Sequence, residues 1–534
     1  MKTLYYNGCV FGSETKMHQA FLVEDGIITH VGENDALLAL PFDEKIDLQG
    51  DFVCPGFNDS HMHLLNLGNT MQMCPLGEVR SLEELLGCLR TFKEEKQFSR
   101  HQWLLGRGWN QDLFTPFTGM PTRDDLDKVS REMPICIVRC CGHALCVNSR
   151  ALEILGLDEH TPCPEGGTVG QDAKGRLNGL FMDAAMPLVQ GKLPGPTVSD
   201  MKSMLVAAMQ RLNSVGITSC QTDDLLCFEN VPWQDVIRAY RELEAEGKIT
   251  VRVYEQSQFT TPEALQGFFD AGYNTGVGSA FFRIGPLKML GDGSLGARTA
   301  FLRDGYADAP EEKGLALFTQ QQFDDMIILA HKKGMQCAVH VIGDGVLDRV
   351  LSAYEKAFRQ HPRKDHRSGL IHVQLTRPDQ LEKIRELNLC AHVQTVFIDY
   401  DTHIVEQRAG KKLAAGSYAF LTMQRMGIPL SNGTDCPVEA PDPFRGIQCA
   451  VTRQPLDGSL PAYRPEEKMT VAQALHAYTA AGAYDSFEEH FKGCMIPGMA
   501  ADFTVLTENP LETAPERLQH IKVKNTFLQG KKVY

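Results

Sequence analysis

Between residues 56 and 489, eight short strand-like runs alternate with helical stretches, and this rhythm constrains the fold more than any other feature. The runs close at DSHMH (59–63), GITSCQTDD (216–224), ITVRVYEQ (249–256), RIGPLKML (283–290), MQCAVHVIGD (335–344), GLIHVQL (369–375), CAHVQTVF (390–397) and PLSNGTDCPV (429–438). Strands separated by helices mark βα units and a parallel sheet, because parallel neighbours need a crossover helix between them. Eight such units predict an α/β fold, a (β/α)8 TIM-like barrel spanning 56–489.

The first two runs are about 150 residues apart, far more than one crossover helix needs, so an α+β subdomain over 75–195 is expected after strand 1. It contains a helix signal at SLEELLGCLRTFKEE, a strand at MPICIVRCC and glycine turns near 166–167 and 177–179. The two ends of the chain read differently. TLYYNGCVFG, AFLVEDGIITHVG and KIDLQGDFVCPGF at the start, and ADFTVLTENP, HIKVKNTFLQG and KKVY at the end, are short strands broken by turns. Neither end holds enough strands to be stable alone, so 1–55 and 490–534 are expected to pair into one small β-sandwich.

At 534 residues the chain has ample core, and its 43% hydrophobic and 22% charged residues are those of a globular protein. A net charge of −14 opposes nucleic acid and anionic membrane as partners, and no run of about 18 apolar residues offers a membrane span. The N-terminus MKTLYYNGCVFGSE lacks a secretion signal, so a cytoplasmic location is expected. The 16 cysteines are scattered, with no C-x-x-C pair, and read as reduced thiols. The one dense patch, Cys136, Cys140, Cys141, His143 and Cys146, lacks the two spaced ligand pairs of a structural zinc site. No heptad pattern sets an oligomeric state, and a homodimer is the common default.

Several residues carry chemistry. His61 and His63 stand two apart at a strand end, so both side chains leave one face of the sheet and can converge on an ion. His340 and His372 fall at the C-terminal ends of two later strands, the face where barrel enzymes build their sites. Asp435 ends the eighth strand, which adjoins the first once the barrel closes, and a carboxylate there can act as base toward water. Asp442, in the same stretch, reads as a turn-capping aspartate. Lys288 lies in the apolar run PLKML, where a charge is costly unless partnered. From spacing alone an ion pair with Asp292 is the favoured account of it. Trp109, Arg298 and His392 are further candidates for substrate contact, against ordinary roles as core filler, ion-pair partner and buried strand residue.

PGFNDSHMH, KMLGDGSLGARTA, VHVIGDG, NGTDCPVEAPDP, HAYTAAGA and GMAADFTVL, in this order, resemble the amidohydrolase superfamily, in particular its YtcJ-like branch, which includes N-substituted formamide deformylases. The insertion stretches GHALCVNSRAL and EGGTVGQDAKGRLNGL are similar to that branch too. The resemblance implies one metal on His61 and His63, a second on His340 and His372, and a carboxylated Lys288 bridging them. That reading displaces the Lys288–Asp292 ion pair. It implies Asp435 as metal-linked general acid and base, His143 as a substrate-facing residue, and one or two zinc ions. The implied activity is hydrolysis of an amide or formamide C–N bond of a small molecule. A deaminase, dehydratase or isomerase on the same barrel, and a silent scaffold, are the alternatives. Ile371 and Asp183, at positions where the branch favours glutamate, and the QTDD after the second strand leave the substrate open.

Overall fold

The structure is a computed structural model and describes residues 1–13, 16–96, 102–116 and 119–534. It divides into two compact units, one formed by Met1–Leu67 with Val198–Tyr534 and the other by Gly68–Thr197.

The first unit is built on an eight-stranded parallel sheet. Its strands are β1 (Phe57–Met62), β2 (Ile217–Thr222), β3 (Arg252–Gln258), β4 (Phe282–Leu290), β5 (Cys337–Val341), β6 (Gly369–His372), β7 (Cys390–Val393) and β8 (Leu430–Asn432), each paired with the next in chain order. All eight expected runs form strands, and these are buried almost throughout, as strands of a parallel sheet covered on both faces are. The helix Trp233–Ala245 buries Val236, Ile237, Tyr240 and Leu243, and Asp344–Gln360 buries Val346, Leu347, Val350, Leu351 and Tyr354.

Between β8 and β1 the ring is joined just beyond the strand ends. The Asp435 N–H donates to the His61 carbonyl (2.9 Å) and the His63 N–H to that of Cys436 (2.7 Å). Gly433 makes this possible, since a Cβ there would stand 2.6 Å from the His61 nitrogen. Asp59 adds a polar clasp across the junction, accepting from the Thr434 N–H (3.0 Å) and hydroxyl (2.5 Å).

Both chain ends contribute to one six-stranded sheet. Its order is Lys531–Lys532, Val523–Leu528, Phe503–Leu506, Phe52–Pro55, Cys9–Ser13, Lys16–His18. A four-stranded sheet holds Ile27–Gly32, Ala20–Glu24, Lys2–Tyr6 and Glu44–Asp47. The two share a core in which Tyr5 stacks on Phe21 (4.7 Å) and meets Phe503 edge-on (5.1 Å). Arg252, at the start of β3, forms a buried pair with Asp502 (2.6 Å) and lies between the rings of Phe281 and Phe491.

The Gly68–Thr197 unit has a mixed six-stranded sheet in the order Gly167–Gln171, Leu177–Asp183, Ala144–Val147, Ile135–Arg139, Leu104–Trp109, Cys74–Pro75. The helix Leu82–Lys96 packs Leu85, Leu86 and Leu89 into one core, and Ser149–Leu155 packs Ala151, Leu152 and Leu155 into another. Cys136 belongs to the second core and Cys146 to the first, so these two thiols of the cysteine-rich patch face away from each other.

Candidate metal centre

The C-terminal ends of the barrel strands bring all six expected ligands close together in a chain of contacts. The donor atoms of His61, His63 and Asp435 all lie within 4.8 Å of one another. Asp435 Oδ1 is 2.9 Å from His63 Nε2 and 3.5 Å from His61 Nε2. Lys288, fully buried on β4, extends its Nζ to 3.2 Å from His61 Nε2. The His372 ring centroid is 5.6 Å from that of His61 and 4.4 Å from that of His340. Register explains the last pair, since β5 and β6 run side by side with His340 opposite Ile371 and Val341 opposite His372.

Lys288 is ion-paired, but to a different partner from the one spacing favours. Its Nζ lies 3.2 Å from Asp223 Oδ2. Asp292 instead binds backbone, accepting from the N–H groups of Ile342 (3.0 Å), Gly343 (2.8 Å) and Phe301 (2.8 Å). A carboxylate four residues along a strand end turns into the following loop, whereas Asp223, just past the end of β2 and two strands round the barrel, lies beside the lysine.

Three residues that sequence reasoning did not single out complete the arrangement. Gln256 Oε1 is 2.8 Å from His61 Nδ1, while its amide donates to the Ser60 carbonyl (3.2 Å). Gln394 Oε1 is 2.6 Å from His372 Nδ1, and its amide donates to the His392 carbonyl (3.3 Å). Asp223 Oδ1 is hydrogen-bonded to His63 Nδ1. In each ring Nδ1 is committed to an oxygen, which leaves Nε2 as the nitrogen to meet an ion, in place of its present neighbours Lys288 at His61 and Asp435 at His63. His340 is reversed: its Nε2 faces the Gly293 carbonyl (3.1 Å), leaving Nδ1 as the free nitrogen. In the sequence Gln256 and Gln394 are lone glutamines, one on β3 and one just after β7, and Asp223 lies in the QTDD that follows the second strand, read there only for the substrate.

Electrostatics follow from this packing. Burial, with the charge of Lys288 next, holds His61 well below its ordinary range, and burial with His340 does the same to His372. Burial would lower His63 as well, but Asp223 and Asp435 overcome it and push it up to about 10. Burial would raise Asp223, yet Lys288 and His63 hold it below the usual carboxylate range. The site thus presents neutral imidazoles at His61 and His372 and an ionised Asp223, with His63 holding a proton between its two carboxylate partners that a bound cation would displace. That donor set fits a divalent cation: free ring nitrogens, an anionic oxygen, and outer hydrogen bonds that orient each ring.

The remaining candidates have other surroundings. Arg298 makes two hydrogen bonds to Asp308 (3.2 and 2.8 Å). His392 is buried in the barrel on β7, with Nδ1 3.2 Å from Asp485 Oδ2. In the Gly68–Thr197 unit, Trp109 is fully buried in the core, while His143 is exposed with Nδ1 3.4 Å from Asp183 Oδ1. Asp442 caps the helix Pro443–Thr452, accepting from the Phe444 N–H (3.0 Å).

Residues 44–534 match the profile of the amidohydrolase family. The chain belongs to that family. This amidohydrolase is 32% identical to YtcJ of Bacillus subtilis (strain 168), itself named as an amidohydrolase, over 100% of this chain and 99% of that one. It is 25% identical to the N-substituted formamide deformylase of Arthrobacter pascens, over 96% of this chain and 94% of that one. Its fold superimposes on a metal-dependent hydrolase of Pyrococcus horikoshii with a TM-score of 0.80 and 27% identity, covering 96% and 99% of the two chains. Family and neighbour agree with the barrel and with a hydrolase that depends on a divalent metal.

Proposed function

We propose that this amidohydrolase cleaves the C–N bond of a small-molecule amide or formamide. The observation that carries the reading is the convergence of His61, His63 and Asp435 donor atoms within 4.8 Å, with the other ring nitrogens of both histidines already hydrogen-bonded. His61, His63 and Asp435 would hold one ion, and His340 and His372 a second. Nitrogen-rich ligation favours zinc. The likeness to the deformylase supports the formamide bond.

A divalent ion, when bound, supplies Lewis acidity that lowers the pKa of water toward about 7 and polarises a carbonyl. The chain's own part is proton handling and orientation. Asp435 receives a proton from the attacking water on its carboxylate and returns it to the leaving nitrogen. Asp223 and Gln256 keep the His63 and His61 rings turned toward the centre, and Gln394 does so for His372.

Lys288 has two states in this account. As an ammonium it pairs with Asp223; carboxylated, it becomes an anionic bridge between the two histidine pairs. Its complete burial between His61 and Asp223 supports a role at the centre. The states differ in one response: restoring bicarbonate after its removal revives activity only if Lys288 is carboxylated.

Hydrolysis of a panel of N-formyl and N-acyl amines by wild type and Asp435→Asn tests the reaction. Release of amine by wild type that the variant loses supports it. An inert panel with metal bound would contradict C–N hydrolysis and point to deamination, dehydration or isomerisation.

The same reading places the chain in the cytoplasm, where its free thiols persist. Among the described residues no helix is long and apolar enough to cross a membrane. It also takes the two terminal sheets as one β-sandwich of 1–55 with 490–534, around a barrel over 56–489 interrupted by the insertion.

A further inference from the structure

The Gly68–Thr197 unit holds two thiols in contact. Cys74 Sγ lies 3.3 Å from Cys88 Sγ, and the Cys88 thiol also reaches the Pro75 carbonyl at 3.5 Å. Their positions differ in three ways. Cys74 is fully buried on Cys74–Pro75, the edge strand of the sheet, whereas Cys88 sits mid-helix on Leu82–Lys96 and is partly exposed. Burial, then the neighbouring sulfur, push the Cys74 thiol up. The edge strand is held by hydrogen bonds to a single neighbour, Leu104–Trp109.

We propose that Cys74 and Cys88 form a reversible dithiol–disulfide site, oxidised by a low-molecular-weight disulfide such as oxidised glutathione. Closing the contact to a disulfide bond length requires the sulfurs to approach by only about 1.3 Å. The accessible Cys88 thiolate attacks the added disulfide, forming a mixed disulfide and expelling one thiolate. Cys74, losing its proton, then attacks the Cys88 sulfur, forms the Cys74–Cys88 bond and expels the second thiolate. Two cysteine thiols give up two electrons and two protons, and the added disulfide is reduced to two thiols. The product staples the edge strand to the helix and closes a short loop; a thiol reductant reverses it.

The test is peptide mapping of the native full-length chain after exposure to oxidised glutathione and alkylation of the remaining thiols. The exposed Cys140, Cys141 and Cys163 report that the reagent is active. The expected result is a Cys74–Cys88 cross-linked peptide that a reductant removes, and a stable glutathione adduct on Cys88 in Cys74→Ala, where no resolving thiol remains. Glutathione on Cys140, Cys141 and Cys163 with Cys74 and Cys88 both free would overturn the proposal. So would a wild-type chain in which Cys88 keeps its adduct and no cross-link forms.

Discussion

Asp435 takes a left-handed backbone conformation (φ 58°), as do His372 (φ 73°) and the β-branched Val373 (φ 50°). Such conformations cost about 1–3 kcal/mol each and persist where the surroundings fix them, which here is the rim that carries the metal-type cluster. If Asp435 moves the proton, Asp435→Asn should lower kcat per bound metal ion by about 10²–10⁴-fold, beyond any loss of metal. The outer hydrogen bonds make a separate prediction. Gln256→Leu, which removes the partner of His61 Nδ1, should weaken metal affinity by about 10–100-fold in a chelator competition, and Gln256→Glu, still an acceptor, should recover most of it. Unchanged affinity in the leucine variant would show that the ring needs no such support. At this scale the histidines and Asp435 were legible, because each stands at a strand end in a spacing that only one face of a barrel accommodates. Gln256, Gln394 and Asp223 were not. Their partners lie 195, 22 and 160 residues away, and only the side-by-side pairing of the strands brings them together.

The eight strands were readable because short strand-like runs alternate regularly with helical stretches, even where, as in FNDSHM and RVYEQSQ, the strand itself carries the polar residues of the site. Their closure into a barrel was expected as well, but the glycine that permits it was not. Gly433→Ala would put a Cβ 2.6 Å from the His61 nitrogen and 2.7 Å from Asp59 Oδ1. Neither of those groups can retreat without moving His61, so the variant should lose both metal and activity, read by metal analysis and amine release. A fully active Gly433→Ala enzyme would mean that the β8–β1 junction yields easily. The short helix Ile398–Asp401 that follows β7 carries a pH-dependent element. Burial pushes Asp401 from 3.8 up to about 6, partly opposed by hydrogen bonds from the Tyr418 hydroxyl (2.5 Å) and the Gln374 amide (3.3 Å). The folded chain therefore keeps this proton where the unfolded chain has released it, and stability falls as pH rises from about 4 to about 6. The full effect is about 3 kcal/mol. Asp401→Asn, which cannot ionise, should melt at a higher temperature than wild type above pH 6 and at a similar one below pH 4. Parallel melting profiles would contradict this.

At the scale of the whole molecule, the two ends of the chain meet in one sheet, and the buried Arg252–Asp502 pair ties that sheet to β3. The expectation that the ends meet came from a count of strands, too few at either end to stand alone. The tie was hidden, because an arginine at the start of an apolar run and an aspartate 250 residues later carry no mutual signal. Arg252→Met leaves Asp502 charged and without its partner, a loss of about 3–5 kcal/mol. Its thermal midpoint should fall markedly, and Asp502→Asn in the same chain should recover part of the loss. All of these elements serve to hold the strand ends in register around the cluster, and the central claim is that the cluster binds a divalent metal. Elemental analysis of the purified wild type beside a His61→Asn/His63→Asn variant tests that claim most directly. The account predicts at least one divalent ion per chain in wild type and a clear deficit in the variant. Equal metal content in the two, or a wild type that stays metal-free after incubation with zinc, would contradict it.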